Sequence, residues 1–476
     1  MKSAGIIAIW SMLSKILGFL RETALASRFG ATSATDAYLV AMIIPSLFLL
    51  GIGPAVATTV IPVFADLEKH HGRDRAFASA NNVFNVCLLV AVAVSLIGII
   101  AANQIVGAAA PGFAGETFKL TVQLTRILFP IAIFQTASSV FTGLLQSLGK
   151  FGLPAFAGVM QNVLIISSIA FFGPRYGITA VAVGTVLGAA GMFAIKIPAL
   201  LSAGYKYHFS IDWGDEGLRQ LGRLIVPIMA GSAAGQLGIV IMRMLASTLP
   251  EGSITYLNYA QRLVALPSGI FGTALVTVLY PTLARMYASG FETEFIRTLE
   301  RSVRIIVFLL IPMAAGMMIL AIPIVRLAFE RGVFTAEATV ATATALFYLA
   351  IAIPAVSLTD LAIRTFYALR DTHTPVFVNI GAIGVAVALR LFLVGRMGYA
   401  GLAVAGACQP IVSFSVLYVI LNHRMRTVPR ASRSTAEQSW AASLVKSLLA
   451  AAVMWVIIAP LSRWLEMTVP GNGVGR

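Results

Sequence analysis

KILGFLRETALASRFGATSATD, residues Lys15 to Asp36, lies across the first long apolar segment and the start of the second, and carries Lys15, Arg21, Glu22, Arg28 and Asp36. A charge at the centre of a membrane helix costs at least ~2.5 kcal/mol even on lenient insertion scales. Five charges at the head of two membrane helices therefore need partners. Lys15 and Glu22 are seven residues apart, as are Arg21 and Arg28, so in a helix each pair stacks on one side. Gly18 lies between them, where a neighbouring helix or a ligand can approach closely. One reading is a cationic, water-accessible cavity that receives an anion. The other is that Arg21 and Arg28 snorkel to the outer interface while Glu22 neutralises one of them. Snorkelling leaves Lys15 unexplained, which favours the cavity.

The rest of the chain has the composition of a membrane protein: 58% hydrophobic, 11% charged, mean hydropathy +0.89. Its net charge of +15 invites a nucleic-acid partner, but no soluble domain carries a basic patch. The cations fall mostly between apolar segments, as the positive-inside rule requires, and no nucleic acid is expected. Cys87 and Cys408 sit mid-segment and far apart, reading as packing residues without a disulfide or metal framework. The N-terminus lacks a small-residue cleavage site after a short apolar core, so the first segment is expected to be a retained helix.

With about 20 apolar residues per crossing, thirteen spans are expected, at about 4–29, 36–65, 79–102, 121–147, 154–173, 177–200, 223–248, 254–285, 303–328, 340–369, 375–394, 398–421 and 440–463. Pro45, Gly51, Gly53 and Pro54 in the second, Pro267 in the eighth and Pro354 in the tenth predict bends. Most connector cations then share one side, which places the N-terminus in the cytoplasm. Segments 202–222 and 286–302 become cytoplasmic linkers with amphipathic surface helices, and 422–439 a tether to a peripheral last helix.

The chain also repeats. Residues 175–183 align with 396–404, and Leu148 with Pro154-Ala155-Phe156 aligns with Leu369 and Pro375-Val376-Phe377, both at an offset of 221. Thr58, Pro62 and Ala65 fall on Thr277, Pro281 and Ala284 at 219. Six helices per repeat make the copies parallel, an arrangement that places a substrate site between lobes. The expected fold is an all-α polytopic membrane protein of two parallel six-helix lobes around a central cavity, plus a C-terminal helix. Its parts are 1–205 (first lobe), 206–222 (linker), 223–421 (second lobe) and 422–476 (linker and peripheral thirteenth helix).

Arg262 is the second lobe's candidate inward-facing cation. Asp36 either caps the second helix, as Thr35 would, or holds Arg21 or Arg28 when no ligand is present. Asp360 and Arg364 read as an i, i+4 ion pair. Arg243 and Arg390 read as snorkelling, and Arg126 as either. Asn81, Asn82, Asn85, Gln135, Gln161, Asn162, Gln236 and Gln409 read mostly as interhelical hydrogen-bonding residues. HExxH, P-loop, GxSxG and Cys/His metal spacings are lacking, so neither an enzyme nor a bound cofactor is expected.

The motifs of both lobes resemble the MurJ (MviN) family of lipid II flippases, in the multidrug/oligosaccharidyl-lipid/polysaccharide exporter superfamily. They run Ser14-Lys15-Ile16-Leu17-Gly18-Phe19-Leu20-Arg21-Glu22, Arg28-Phe29-Gly30-Ala31, Asp36-Ala37-Tyr38 and Ile61-Pro62-Val63-Phe64 in the first lobe. The second holds Tyr259-Ala260-Gln261-Arg262-Leu263, Pro267-Ser268-Gly269, Leu279-Tyr280-Pro281, residues Glu330 to Phe334 and residues Phe366 to Pro375. The resemblance implies a bacterial cytoplasmic-membrane protein that moves undecaprenyl-diphosphate-linked peptidoglycan precursor, lipid II, from the inner to the outer leaflet by alternating access. Lipid II and membrane lipids would be its partners, with the cell-wall synthesis machinery a candidate. It would act as a monomer without a cofactor, coupled to the membrane potential or to an ion. The family's site would fall on Lys15, Arg21, Asp36 and Arg262, with Arg28 as a neighbour.

Departures are specific. Lys15 replaces the usual Arg, turning a bidentate contact into a point charge. Glu22 and Gln261 replace Asp, and Leu49 and Leu50 stand where the family has an Arg pair. Ile52-Gly53-Pro54-Ala55 replaces Ala-Glu-Gly-Ala, and the sodium-site acids are missing from 223–248 and 375–394. Thirteen helices are found where the family often has fourteen. The alternatives are an exporter of another lipid-linked oligosaccharide and a drug/cation antiporter; a scaffold or a glycosyltransferase is a remoter one. The mostly basic intramembrane charges favour an anionic ligand.

Overall fold

A computed structural model describes residues 2–48, 52–424, 446–450, 452–456, 458 and 460; among these, every regular element is a helix. Among the described residues, six runs are long and apolar enough to cross a bilayer: Arg73–Ile100, Gly115–Ser147, Gly152–Tyr176, Ile178–Leu201, Thr293–Ile319 and His373–Arg424. Two bent pairs, Ser253–Gly272 with Leu275–Ala288 and Ala336–Ala350 with Ile353–Ala368, each turn by 42°. Both bends fall where proline was expected to interrupt the span. A π-helical segment, Ser268–Gly272, follows Pro267, and the helix Ile353–Ala368 starts again with Pro354 in its first turn, where a missing N–H costs nothing. His373–Arg424 is two helices joined at Gly398, whose φ of 57° and ψ of −133° are closed to residues with a side chain.

The first helix, α1 (Lys2–Phe29), has the length to span but carries the charge cluster. The expected second segment is two helices, α2 (Ser33–Phe48) and α3 (Ile52–His71), each with an internal proline, Pro45 and Pro62. Leu49, Leu50 and Gly51 lie outside the described residues. The expected surface helices are corrected in two places. Residues 205–212 have no regular secondary structure, and 286–302 is taken up by the ends of Thr273–Ala288 and Glu292–Ile319 around Gly290. The last helix is described over part of Lys446–Val456; from residue 425 the expected tether lies outside the described residues.

By contact the chain divides into two compact units. One is Met1–Gly252 with Arg331–Phe334, the other Ser253–Glu330 with Thr335–Arg476. The first unit thus reaches past the expected linker and takes in Glu216–Ala246, which packs on α3 and on α4 (Arg73–Ile100). Its core joins Phe64 of α3, Phe77 and Phe84 of α4, Phe141 and Tyr205. The rings of Phe84 and Phe141 stack at 5.1 Å, and those of Phe77 and Tyr205 meet edge-on at 5.6 Å. The second unit is built around Leu283, Ile306, Leu361 and Phe366.

The repeat is visible in the backbone. Ten of the eleven left-handed residues among the described residues pair off at the repeat distance, Gly204 standing apart: Gly30 with Gly252, Gly72 with Gly290, Gly115 with Gly332, Gly149 with Arg370, and Gly177 with Gly398. Their separations match the sequence offset to within a few residues. At Gly149 the helix end is closed by the Lys150 N–H donating to Leu145 O (2.7 Å). The Asp371 N–H donates to Phe366 O (2.9 Å) at the equivalent place.

Candidate functional site

The charge cluster on α1 resolves into one spent cation and two available ones. Glu22 is buried, and its Oε1 accepts from Arg21 Nη2 at 2.8 Å. Arg21 Nη1 donates to Asn162 Oδ1 at 3.1 Å. Asn162, on the helix Gly152–Ser167, is aimed by its own amide, which donates to Gly158 O (2.9 Å) and Ser14 O (3.2 Å). The arginine fork is therefore fixed on both arms, and an arriving anion would find only its remaining N–H groups. The close approach of this helix to α1 is at Gly158, where a Cβ would lie 2.6 Å from Ser14 Oγ. At Gly18, the position expected to be close, a Cβ would meet Asn162 at an ordinary 3.8 Å.

Lys15 and Arg28 are exposed and have no hydrogen bond or ion pair among the described residues. They lie roughly 20 Å apart along α1 at 1.5 Å per residue. Arg28 is in the last turn, where a cation also complements the helix dipole.

Asp36 does not cap α2, which begins at Ser33. It is buried, and its Oδ2 accepts from the Gly252 N–H at 2.8 Å. In exchange, Glu251 Oε1 accepts from the Ser33 N–H at 2.5 Å, supplying an orphan donor at the α2 N-terminus with an acceptor from 218 residues away. The two carboxylates clasp the head of α2 to the 249–252 turn. Nothing in local sequence marks Glu251 for this role.

Residues 331–334 close the other end of the same corner. The Val333 N–H donates to Ser27 O (2.9 Å), satisfying a terminal carbonyl of α1, and Gly332 passes so close that a Cβ would fall 2.2 Å from that oxygen. This accounts for the glycine in the Glu330–Phe334 motif.

Several expected snorkelling and interhelical roles are corrected. Arg243 is buried and its Nη1 donates to Leu39 O, and Arg390 is buried as well. Asn81, Asn82 and Asn85 of α4 bond to the backbone of residues 206–212 instead of to another helix. Asp360 and Arg364 do pair within their helix, at 3.4 Å. Arg262 belongs to the second unit: on Ser253–Pro267, Tyr259, Ala260 and Leu263 are buried while Gln261 and Arg262 are exposed.

The family model described as lipid II flippase MurJ matches residues 25–474. A "Lipid II flippase MurJ" of Burkholderia cenocepacia is 28% identical over 477 residues, covering 98% of this chain and 90% of the relative. A "Probable lipid II flippase MurJ" of Rhizobium meliloti is 32% identical over 464 residues, covering 94% and 86%. A solved structure of a lipid II flippase MurJ in an inward closed conformation matches with a TM-score of 0.78 at 22% identity, covering 96% of this chain and 98% of that one.

Proposed function

The chain belongs to the MurJ family of lipid II flippases, and from that premise we propose that it moves lipid II across the inner membrane, as a transporter and not an enzyme. The observation that carries this reading is the state of the α1 cations. Lys15 and Arg28 stand exposed and without partners among the described residues, while Glu22 and Asn162 hold Arg21 in one orientation. A lipid-linked diphosphate sugar needs cations for its head, an aqueous route for its sugars and lateral access for its tail. Two unspent cations at different depths of one helix suit a head group that passes along it, each offering charge in turn.

In this proposal Lys15, Arg21, Arg28 and Arg262 bind the diphosphate head. Asp36 holds the corner from which α2 departs, alternating access between the two lobes carries the head across, and the N-terminus is cytoplasmic. The Leu49-Leu50 departure supports a second reading, a related lipid-linked cargo with a less charged head.

Complementation tests both. The native flippase of a bacterium is depleted and the chain supplied as wild type, Lys15→Ala, Arg28→Ala or Arg262→Ala. Arg21→Ala is paired with Glu22→Gln, because removing Arg21 alone takes its 2.8 Å ion-pair partner from the buried Glu22 carboxylate. Rescue by wild type and loss in the cation variants, at equal membrane abundance, is expected. Failure of a well-expressed wild type refutes lipid II as cargo and favours the second reading.

A further inference from the structure

Between the helices Ile197–Leu201 and Glu216–Ala246, residues 205–212 lack regular secondary structure but keep a period of two. The carbonyls of alternate residues all point at α4. Asn81 Nδ2 donates to Lys206 O (2.8 Å), Asn85 Nδ2 to His208 O (3.2 Å) and Ser210 O (3.0 Å), and Asn82 Nδ2 to Asp212 O (2.7 Å). Asn82 Oδ1 also accepts the Asp212 N–H at 2.7 Å, so this one amide pairs with the segment as a neighbouring strand would. The near end is pinned by buried Tyr205, whose hydroxyl donates to Asn81 Oδ1. At the far end Asp215 caps the next helix through the Leu218 N–H and accepts from Ser79 Oγ of α4 (2.7 Å).

The intervening residues are all apolar; Tyr207 sets its ring edge-on to Phe84 of α4 at 6.0 Å, and the row as a whole stays open. Tyr207, Phe209, Ile211 and Trp213 are 53%, 72%, 38% and 66% exposed. Three aromatics and an isoleucine in a rigid row make a patch that a water-facing loop has no reason to keep.

We propose that residues 205–213 form an interfacial strap that lies in the head-group layer of the bilayer and binds anionic phospholipid. Tyr and Trp favour that layer because an apolar ring and a polar edge suit it. Backbone entering it must bring its own hydrogen-bond partners, and the asparagine row supplies them. The strap continues the span Ile178–Leu201, which ends in exposed Leu201. Its charge also fits anionic lipid. Lys206 is exposed within it, Arg73 Nη2 donates to Ala203 O and Lys150 Nζ to Ala199 O just before it. Asp212, the acid within it, is engaged by the Gly214 N–H, and of the acids that follow, Asp215 is engaged by its cap and Glu216 by Gln220 Nε2 at 3.5 Å. The strap ties α4 and the start of Glu216–Ala246 to one depth in the membrane, and this holds whatever the transported cargo.

The test uses the full chain in nanodiscs of phosphatidylethanolamine and phosphatidylglycerol, with Trp10, Trp440, Trp455 and Trp464 replaced by Phe so that Trp213 alone reports. The expected result is a blue-shifted emission, quenched when the phosphatidylglycerol acyl chains are brominated near the head group and little quenched by aqueous iodide. Water-like emission quenched by iodide, or a blue shift insensitive to brominated lipid, as burial against a second protein would produce, overturns the proposal. Should the tryptophan variant fail to fold, Phe209→Cys in a background with Cys87→Ser and Cys408→Ser carries a spin label with every tryptophan in place. Oxygen relaxing that label more than a water-soluble nickel chelate supports the strap, and the reverse order refutes it.

Discussion

Removing the Asp36 side chain should open the 249–252 turn, and by an amount that burial decides. Asp36→Ala leaves the buried Gly252 N–H without its acceptor at 2.8 Å. An unsatisfied buried donor costs roughly 1–3 kcal/mol, which speeds local amide exchange by about 5- to 150-fold if the turn opens independently of the unit. Glu251 is exposed, and water can replace it at the Ser33 N–H. Glu251→Ala should cost at most the ~1 kcal/mol of a typical lost cap, an exchange effect of about fivefold or less at Ser33. Hydrogen–deuterium exchange with mass spectrometry, on peptides spanning 249–252 and 31–36, reads both. Asp36→Asn keeps an oxygen for the Gly252 N–H and should protect the turn nearly as well as wild type. If that variant is protected yet fails complementation, the charge of Asp36 has a role in transport separate from the clasp. Unchanged exchange at Gly252 in Asp36→Ala, or a larger effect from Glu251→Ala, would refute the reasoning.

Three further outcomes are expected. Gly332→Ala must place a Cβ 2.2 Å from Ser27 O at a φ of 60°, so its unfolding midpoint should fall well below wild type. Gly107→Ala, in open space within the helix Ala102–Ala109, should instead gain about 0.5–1 kcal/mol, and equal midpoints for the two would refute the clash. Asp371 is drawn down to about 2 by the Thr374 N–H and hydroxyl, with Arg424 adding to it. A depressed carboxyl stabilises the fold above its unfolded value near ~3.9. That contribution is lost as pH falls toward about 2, so Asp371→Asn should flatten stability against pH in that window and leave its slope at neutral pH alone. Asn82→Ala together with Asn85→Ala should raise exchange across residues 206–212 and spare the α1–Asn162 contact; protection equal to wild type would remove the asparagine row from its role.

Hydropathy and spacing made much of the architecture legible. Gly177 and Gly398, aligned by sequence alone, share a left-handed backbone, and the bends follow Pro267 and precede Pro354 where interruptions were expected. Residues 205–213 depart from the expected surface helix because their apolar alternation has the period of a strand, whereas the surrounding helices favour a helical reading. Glu251 was invisible because its partner is 218 residues away.

The sequence by itself determined that the chain is helical, membrane-embedded and duplicated, and that cations gather on its first helix. Apolar length, turn glycines and helical spacing are local properties, and each acts within a few residues. The tertiary structure alone decided how those charges are used: Arg21 held by Glu22 and Asn162, Asp36 given to Gly252, Arg243 to Leu39, and Lys15 with Arg28 left over among the described residues. Whether a charge near a membrane is a structural tie or a ligand contact depends on which acceptors, neighbouring or distant, are brought within reach of it, and packing sets that choice.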